Sequence, residues 1–294
     1  MGLVATPMPW QARATLMLLR VLGLAPLSWL RGFGSLVGTV ISLLPIRETR
    51  VTQQNIRLCL PKLDRGEAAA LARLSLQHMV MSVCELPKIW SLPYPKLARL
   101  ILDVTGEDTF KSALALGKGV IIAVPHLGAW ELLNLYLAAH TELAVLYRAP
   151  RKPWVESVLN AARGRTRALP VRAEPAAVRG LLKRLQSGGV LGILPDQQPK
   201  QGEGEFAPMF GVDALTMTLL PKLAVRTGAA VLFASAVRVA GGFRIELRAA
   251  APEVTDVMAL NVNVENLVRP WLAQYQWSYK RYSMRPEGQA RLYR

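Results

Sequence analysis

The sequence is poor in what several chemistries need. Its 294 residues include only two cysteines, Cys59 and Cys84, and three histidines, His78, His126 and His140. The cysteines form no CxxC pair and have no histidine-rich surroundings, so neither a disulfide framework nor a zinc site is expected; they read as small core residues in a reducing compartment. No uncharged apolar run reaches the roughly 20 residues of a membrane span, which excludes a polytopic transporter. Internal repeats and low-complexity tracts are absent, and no serine or cysteine sits in a nucleophile-elbow context. Acidic residues are scarce too: 20 Asp+Glu against 36 Lys+Arg give a formal charge of +16.

Hydrophobic residues make up 51% of the chain and charged ones only 19%, with a mean hydropathy of +0.23. Disorder requires low hydrophobicity, so a disordered basic tail is excluded. A soluble nucleic-acid binder rarely joins such charge to such apolar content. What fits is a folded body that meets both apolar and anionic material, with ample length for a sizeable core. From Leu16 to Ile46 the sequence is apolar, broken by Arg20, Pro26 and Arg31. No small-residue cleavage site follows, so a removable signal peptide is not expected. Arg13, Arg20, Arg31 and Arg47 precede the first acidic residue, Glu48. That suits an apolar helix held at an anionic leaflet by snorkelling arginines, with a buried core helix or one tilted span as the alternatives. Residues 1–47 are accordingly read as a membrane-associating segment and 48–294 as the functional domain.

Beyond residue 48, strand and helix patterns alternate. Asp64 and Glu67 have capping-box spacing for a helix to about Leu86, ended by Pro87. Strands are expected at 119–124, 143–147 and 190–194, and helices at 128–139, 153–163, 175–186 and 215–227. A hairpin over 230–239 and 243–249 turns at Gly241-Gly242, and a last helix covers about 257–275. The class is α/β: a mixed, mostly parallel central sheet flanked by helices, with an N-terminal apolar membrane-anchoring helix. The one long irregular stretch, 195–214, is of a length that is usually functional.

His78 lies mid-helix among apolar residues and His140 follows a helix; both read as structural. His126 follows a buried strand through Pro125, and open α/β sheets place ligands at strand carboxyl ends. Residues five apart on one helix point about 140° away from each other. With His126 in the strand-to-helix turn and Glu131 in the helix's first turn, however, the two side chains can converge. A carboxylate on one imidazole nitrogen fixes the tautomer of a general base; the alternative is a neutral histidine on backbone beside a solvated glutamate. Between Arg148 and Arg184 stand ten basic residues and two acidic ones, a charge of +8 in 37 residues. A second basic group, Lys280, Arg281, Arg285, Arg291 and Arg294, is interleaved with Trp277, Tyr279, Tyr282 and Tyr293. It reads as an interfacial anchor or a nucleic-acid patch.

The segment His126-Leu127-Gly128-Ala129-Trp130-Glu131 matches the H-x-x-x-x-D/E signature of glycerolipid-type acyltransferases. Further blocks stand in order along the chain: Asn55 through Pro61 upstream, then Tyr147-Arg148 with Arg163, Pro195-Asp196-Gln197 with Pro208-Met209-Phe210-Gly211 and Thr216, and Pro270 through Gln276-Trp277 with Lys280-Arg281. Together they resemble the late lauroyl/myristoyl acyltransferases of lipid A biosynthesis over nearly the whole chain. The departures are Met209, the adjacent Gln276 and Trp277, and the run Gln198-Pro199-Lys200-Gln201; chain-length and acceptor preference are not carried across them. The resemblance implies a Gram-negative enzyme at the cytoplasmic face of the inner membrane. It implies transfer of a fatty acyl group from acyl carrier protein, the co-substrate, to a hydroxyl of an anionic phosphorylated glycolipid, a lipid A precursor. No metal, other cofactor or nucleic acid enters. His126 would be the base and Glu131 its orienter. Arg148, Arg163, Asp196 and Gln197 would meet substrate, Arg163 serving as oxyanion donor, phosphate ligand or partner of Asp196. Another glycolipid or phospholipid acceptor, or a non-catalytic basic membrane or nucleic-acid binder, are the competing readings.

Overall fold

The computed structural model describes residues 8–174 and 176–293. Its elements in chain order are α1 (Trp10–Gly23), α2 (Leu27–Leu43), α3 (Arg47–Cys59), α4 (Arg65–Ser91), α5 (Tyr94–Ala98), β1 (Ile101–Thr105), α6 (Glu107–Ala115), β2 (Val120–Ala123), α7 (Trp130–His140), β3 (Leu143–Tyr147) and α8 (Pro153–Arg163). There follow β4 (Ala168–Arg172), α9 (Ala177–Gln186), β5 (Val190–Ile193), β6 (Gly204–Met209), β7 (Val212–Met217), α10 (Leu219–Thr227), β8 (Ala230–Val239), β9 (Gly242–Ala249), α11 (Val257–Val268) and a 3-10 helix (Arg269–Gln274).

Seven strands form one sheet in the order β1-β9-β8-β2-β5-β3-β4. Five run parallel; β9 pairs antiparallel with β8, and β1 follows β9. The central strands β2 and β5 are buried along their whole length, the mark of a sheet covered on both faces. One face packs Ile121, Ala123 and Ile193 against Leu181, Leu220 and Leu260 of α9, α10 and α11. The other packs Val120, Ile122 and Val145 against Phe110, Leu133 and Leu137 of α6 and α7. The α/β class and mostly parallel sheet expected from the sequence are present.

The departures have local reasons. β4 contains Pro170 and lacks an apolar run; as an edge strand it can turn the proline toward solvent. Within the stretch expected to be irregular, β6 and β7 pair as a hairpin, so helix α10 starts only at Leu219. The hairpin turns through Phe210-Gly211, both at positive φ (51° and 77°), which matches the twist of the paired strands. The capping box at Asp64 and Glu67 forms in both directions, but α4 continues through Pro87 to Ser91. Arg165 donates to the carbonyls of Ile89 and Leu92 at that far end, supplying partners that the helix terminus lacks. At the other end of the chain, α11 stops at Val268 and Pro270 falls in the 3-10 turn.

The apolar N-terminal segment is two helices, α1 and α2, bent by 107°. Among the described residues no single helix is long and apolar enough to cross a membrane, although this bent pair together would pass on length and composition. Both lie on α4. The inward side of α2 is glycine: a Cβ at Gly34 or Gly38 would collide with the backbone of Met81 or Gln77. The outward side is apolar and open, with Trp29 73%, Phe33 62% and Leu43 78% exposed. Arg31 is not a snorkelling residue. It turns inward to Glu85 of α4, because that carboxylate is fully buried and needs a counter-charge.

Candidate active site

β2 and β5 pair with Ala123 opposite Ile193. Each leaves the sheet through the same pattern, Val124-Pro125-His126 and Leu194-Pro195-Asp196. Two polar side chains therefore emerge side by side at strand carboxyl ends. His126 Nδ1 lies 2.9 Å from Asp196 Oδ1, and the His126 backbone N–H donates to Asp196 Oδ2 at 2.8 Å. A carboxylate only accepts, so Nδ1 donates to Asp196 and Nε2 is the nitrogen turned away from it. Gln197 Nε2 stands 3.1 Å from that nitrogen and 3.3 Å from Gln276 Oε1. One amide thus donates to both acceptors.

Burial would raise the Asp196 carboxyl, but the charge and hydrogen bonds of His126 hold it below the usual range. The same buried carboxylate, added to desolvation, pushes the Tyr275 phenol well above its ordinary value. The Trp130 ring tilts against the imidazole, centroids 5.1 Å apart. Gly128, between His126 and α7, has φ +62°, and a side chain there would strike the Ala236 carbonyl. That close approach lets β8 run alongside the turn, where the Ala129 N–H donates to Ala236 O at 2.7 Å.

An apolar cavity of about 250 Å³ opens beside the imidazole. Met79, Ser82, Val83, Leu86 and Ile89 of α4 form one wall; His126, Gly128 through Glu131 and Gln274 through Gln276 form the other. A smaller cavity of about 40 Å³ lies behind Trp130 and Glu131 and reaches Arg163 and Val145. Glu131 therefore stands between the two.

A family model of the bacterial lipid A biosynthesis acyltransferases matches residues 3–283. The chain belongs to that family. It is 26% identical over 271 residues to a lipid A biosynthesis palmitoleoyltransferase of Escherichia coli (strain K12), covering 88% of this chain and 87% of that one. A lipid A biosynthesis lauroyltransferase of the same organism is 24% identical over 251 residues, covering 82% and 81%. A lipid A biosynthesis acyltransferase of Shigella flexneri is 26% identical over 271 residues.

Within this acyltransferase fold, the structure divides the expected site residues differently from the sequence reading. Asp196, expected to meet substrate, holds His126 Nδ1. Glu131, expected there, points to α8: Arg163 grips both of its oxygens and Trp90 Nε1 donates to Oε2 at 3.2 Å. The reason is the chain path, since His126 ends opposite β5 while the first turn of α7 faces α4 and α8. Arg163 consequently pairs with Glu131 rather than Asp196. Burial opposes its charge, and Glu131 more than compensates, raising its pKa. Gln197 lies on the imidazole, and Arg148 is exposed just past β3, at the same carboxyl end of the parallel strands as His126. Gln276 is marked in the sequence only as a departure from the family pattern, and nothing in the sequence marks Tyr275 or Trp90 as site residues. For Trp90, the only sequence cue is an aromatic near a helix end.

The ten-residue basic cluster does not form one face. Arg163, Arg165, Arg167, Arg172 and Arg184 are spent on partners inside the protein, while Arg148, Arg151 and Lys152 stay exposed past β3. The C-terminal basic and aromatic group is largely internal. Arg281 is buried and donates to the Leu215 carbonyl and Thr216 Oγ1, Trp277 and Tyr282 are buried, and Arg294 lies outside the described residues. This group joins the first family block to the last, since Asn55 Nδ2 donates to the carbonyls of Trp277 and Tyr279. His140 Nδ1 bonds the Tyr136 carbonyl at 2.8 Å. Cys59 is buried against the Tyr282 hydroxyl and Cys84 is half-buried.

Proposed function

We propose that this protein moves a fatty acyl group from acyl carrier protein to a hydroxyl of a lipid A precursor, with His126 as general base and Asp196 as the group that orients it. The observation that carries the reading is an imidazole held at Nδ1 by Asp196 and standing beside an apolar cavity. The acceptor hydroxyl gives its proton to Nε2 and its oxygen attacks the thioester carbonyl. The new C–O bond forms, the C–S bond breaks, and the imidazolium returns the proton to the departing thiolate. Asp196 stabilises that transient imidazolium. Arg163 is paired with Glu131, so the Gln197 and Gln276 amides beside the imidazole are the groups that would donate to the thioester oxygen. Family membership supports the reaction class, and the names of the relatives support the lipid A acceptor.

In this reading the open apolar side of α1 and α2 rests on the cytoplasmic leaflet of the inner membrane. Arg13, Arg20 and Arg47, all exposed, meet anionic headgroups. Arg148, Arg151 and Lys152 face the acidic carrier protein or acceptor phosphate. The test is mass spectrometry of lipid A from cells lacking this gene, complemented with the wild-type protein or with His126→Ala. The expected result is a secondary acyl chain lost on deletion and restored only by the wild type. An unchanged lipid A in the deletion strain would overturn the acceptor, and restoration by His126→Ala would overturn the base.

A further inference from the structure

Behind the active-site turn lies a buried ion cluster that the mechanism above does not use. Glu85 of α4 is 0% exposed and takes a guanidinium on each oxygen: Arg31 of α2 at 2.7 Å and Arg238 of β8 at 2.8 Å. Arg31 goes on to the carbonyls of Val239 and Gly242, at 2.8 and 2.7 Å, on both sides of the β8–β9 turn, and lies over the Phe243 ring. Arg238 goes the other way, to Ser82 Oγ at 2.7 Å and the Gly128 carbonyl at 3.4 Å. Ser82 and Gly128 both line the apolar cavity, and Gly128 is two residues from His126. The backbone of Arg238 is locked as well. Its N–H donates to Gln274 Oε1 and its carbonyl accepts from Gln274 Nε2, while the Gly128 N–H donates to the Gln274 carbonyl.

A continuous chain of contacts therefore runs from the helix with the open apolar side to the turn that carries the base. We infer that Arg31 and Arg238, joined through Glu85, are positioning residues that make the placement of His126 and the cavity wall depend on how α2 is seated. The inference rests on His126 being the base. Its physical basis is that the rest of the α2–α4 contact combines glycine packed on backbone at Gly34 and Gly38 with one neutral side-chain bond, Gln77 Nε2 to Thr39 Oγ1 at 2.7 Å. Arg31 is the charged link across it. Loss of Arg31 leaves Glu85 paired with Arg238, so it strands no buried charge. Loss of Glu85 would strand two buried cations and is the less informative change.

The test uses the full-length protein, an acyl-carrier-protein thioester and a phosphorylated glucosamine disaccharide lipid in anionic vesicles. Arg31→Met should sediment with vesicles as the wild type does. Its kcat at saturating acceptor should fall roughly 10- to 100-fold, the range expected when a reacting group is misplaced by about 1 Å. The imidazole nitrogen resonances of His126 should shift, although Arg31 does not touch that ring. Should Arg31→Met not fold, Arg31→Lys keeps the charge without the guanidinium fork and is measured in the same way. An unchanged kcat with unshifted His126 resonances refutes the coupling. So does a rate that recovers fully at saturating acceptor with those resonances unmoved, which would make Arg31 a binding residue only. Wild-type turnover by His126→Ala would instead remove the base, and the inference with it.

Discussion

His126 and Asp196 occupy equivalent points on neighbouring strands. Each is the third residue beyond the register pair Ala123 and Ile193, each follows a proline, and their side chains meet at 2.9 Å. The sheet's own register builds the pair. Asp196→Asn keeps the shape but leaves one accepting oxygen for two donors, the His126 backbone N–H and Nδ1–H, so an amide NH2 that faces Nδ1 selects the other tautomer. The expected loss in kcat is roughly 100- to 10,000-fold with KM little changed, measured by steady-state transfer from the carrier-protein thioester.

Glu131 and Arg163 should behave as a unit in stability. Their side chains are 8% and 16% exposed, so each single change, Glu131→Gln or Arg163→Met, leaves a mostly buried unpaired charge. Each should cost about 1–3 kcal/mol. The double variant should be more stable than the sum of the singles by about 1 kcal/mol or more, read from urea unfolding of all four proteins. Strict additivity would show that the pair is not coupled.

His78 gives the fold an acid limit. Burial, with the charges of Arg238 and Arg31 added, pushes its pKa from 6.5 down to about 4. Between those values the unfolded chain binds a proton that the native state refuses, so stability falls as pH drops from 6.5 toward 4. The full effect is about 3 kcal/mol. Thermal unfolding across that range should show the decline, and His78→Leu should flatten it.

The two sides of α2 should separate cleanly under mutation. Trp29→Ser or Phe33→Ser on the open side should weaken vesicle binding by roughly tenfold each, about 1.5 kcal/mol of lost apolar contact, with little change in melting temperature. Gly38→Leu on the closed side should lower the melting temperature through overpacking of about 1–3 kcal/mol. Vesicle sedimentation and thermal scans on the same preparations distinguish them.

Much of this molecule is legible from residue order. Buried runs such as Val120–Ala123 and Val190–Ile193 announce central strands, and the capping box at Asp64 and Glu67 announces α4. His126 is marked by its place after a strand and a proline. The partner of His126 was harder to read, because chain proximity favours Glu131 while the true neighbour is 70 residues away. The twin endings Val-Pro-His and Leu-Pro-Asp were the available clue, and they become informative only once β2 and β5 are known to be adjacent. Local charge misled in the same way. Ten basic residues in 37 look like one surface, yet the fold uses Arg165 and Arg167 to finish helices and Arg163 to neutralise Glu131. The arginines in the N-terminal segment look alike in sequence, and only the buried Glu85 singles out Arg31.

The Gln197 amide rests on the nitrogen that would receive the acceptor's proton, held from behind by Gln276. An arriving hydroxyl has to displace it. Water makes the same hydrogen bond but brings no hydrocarbon to fill the adjacent apolar cavity, so it has less with which to drive the exchange. On the proposed mechanism the resting site is thus a closed tap. A loaded thioester would wait beside the base without being squandered on solvent, and turnover would begin when a lipid acceptor arrives with enough binding energy to move one glutamine.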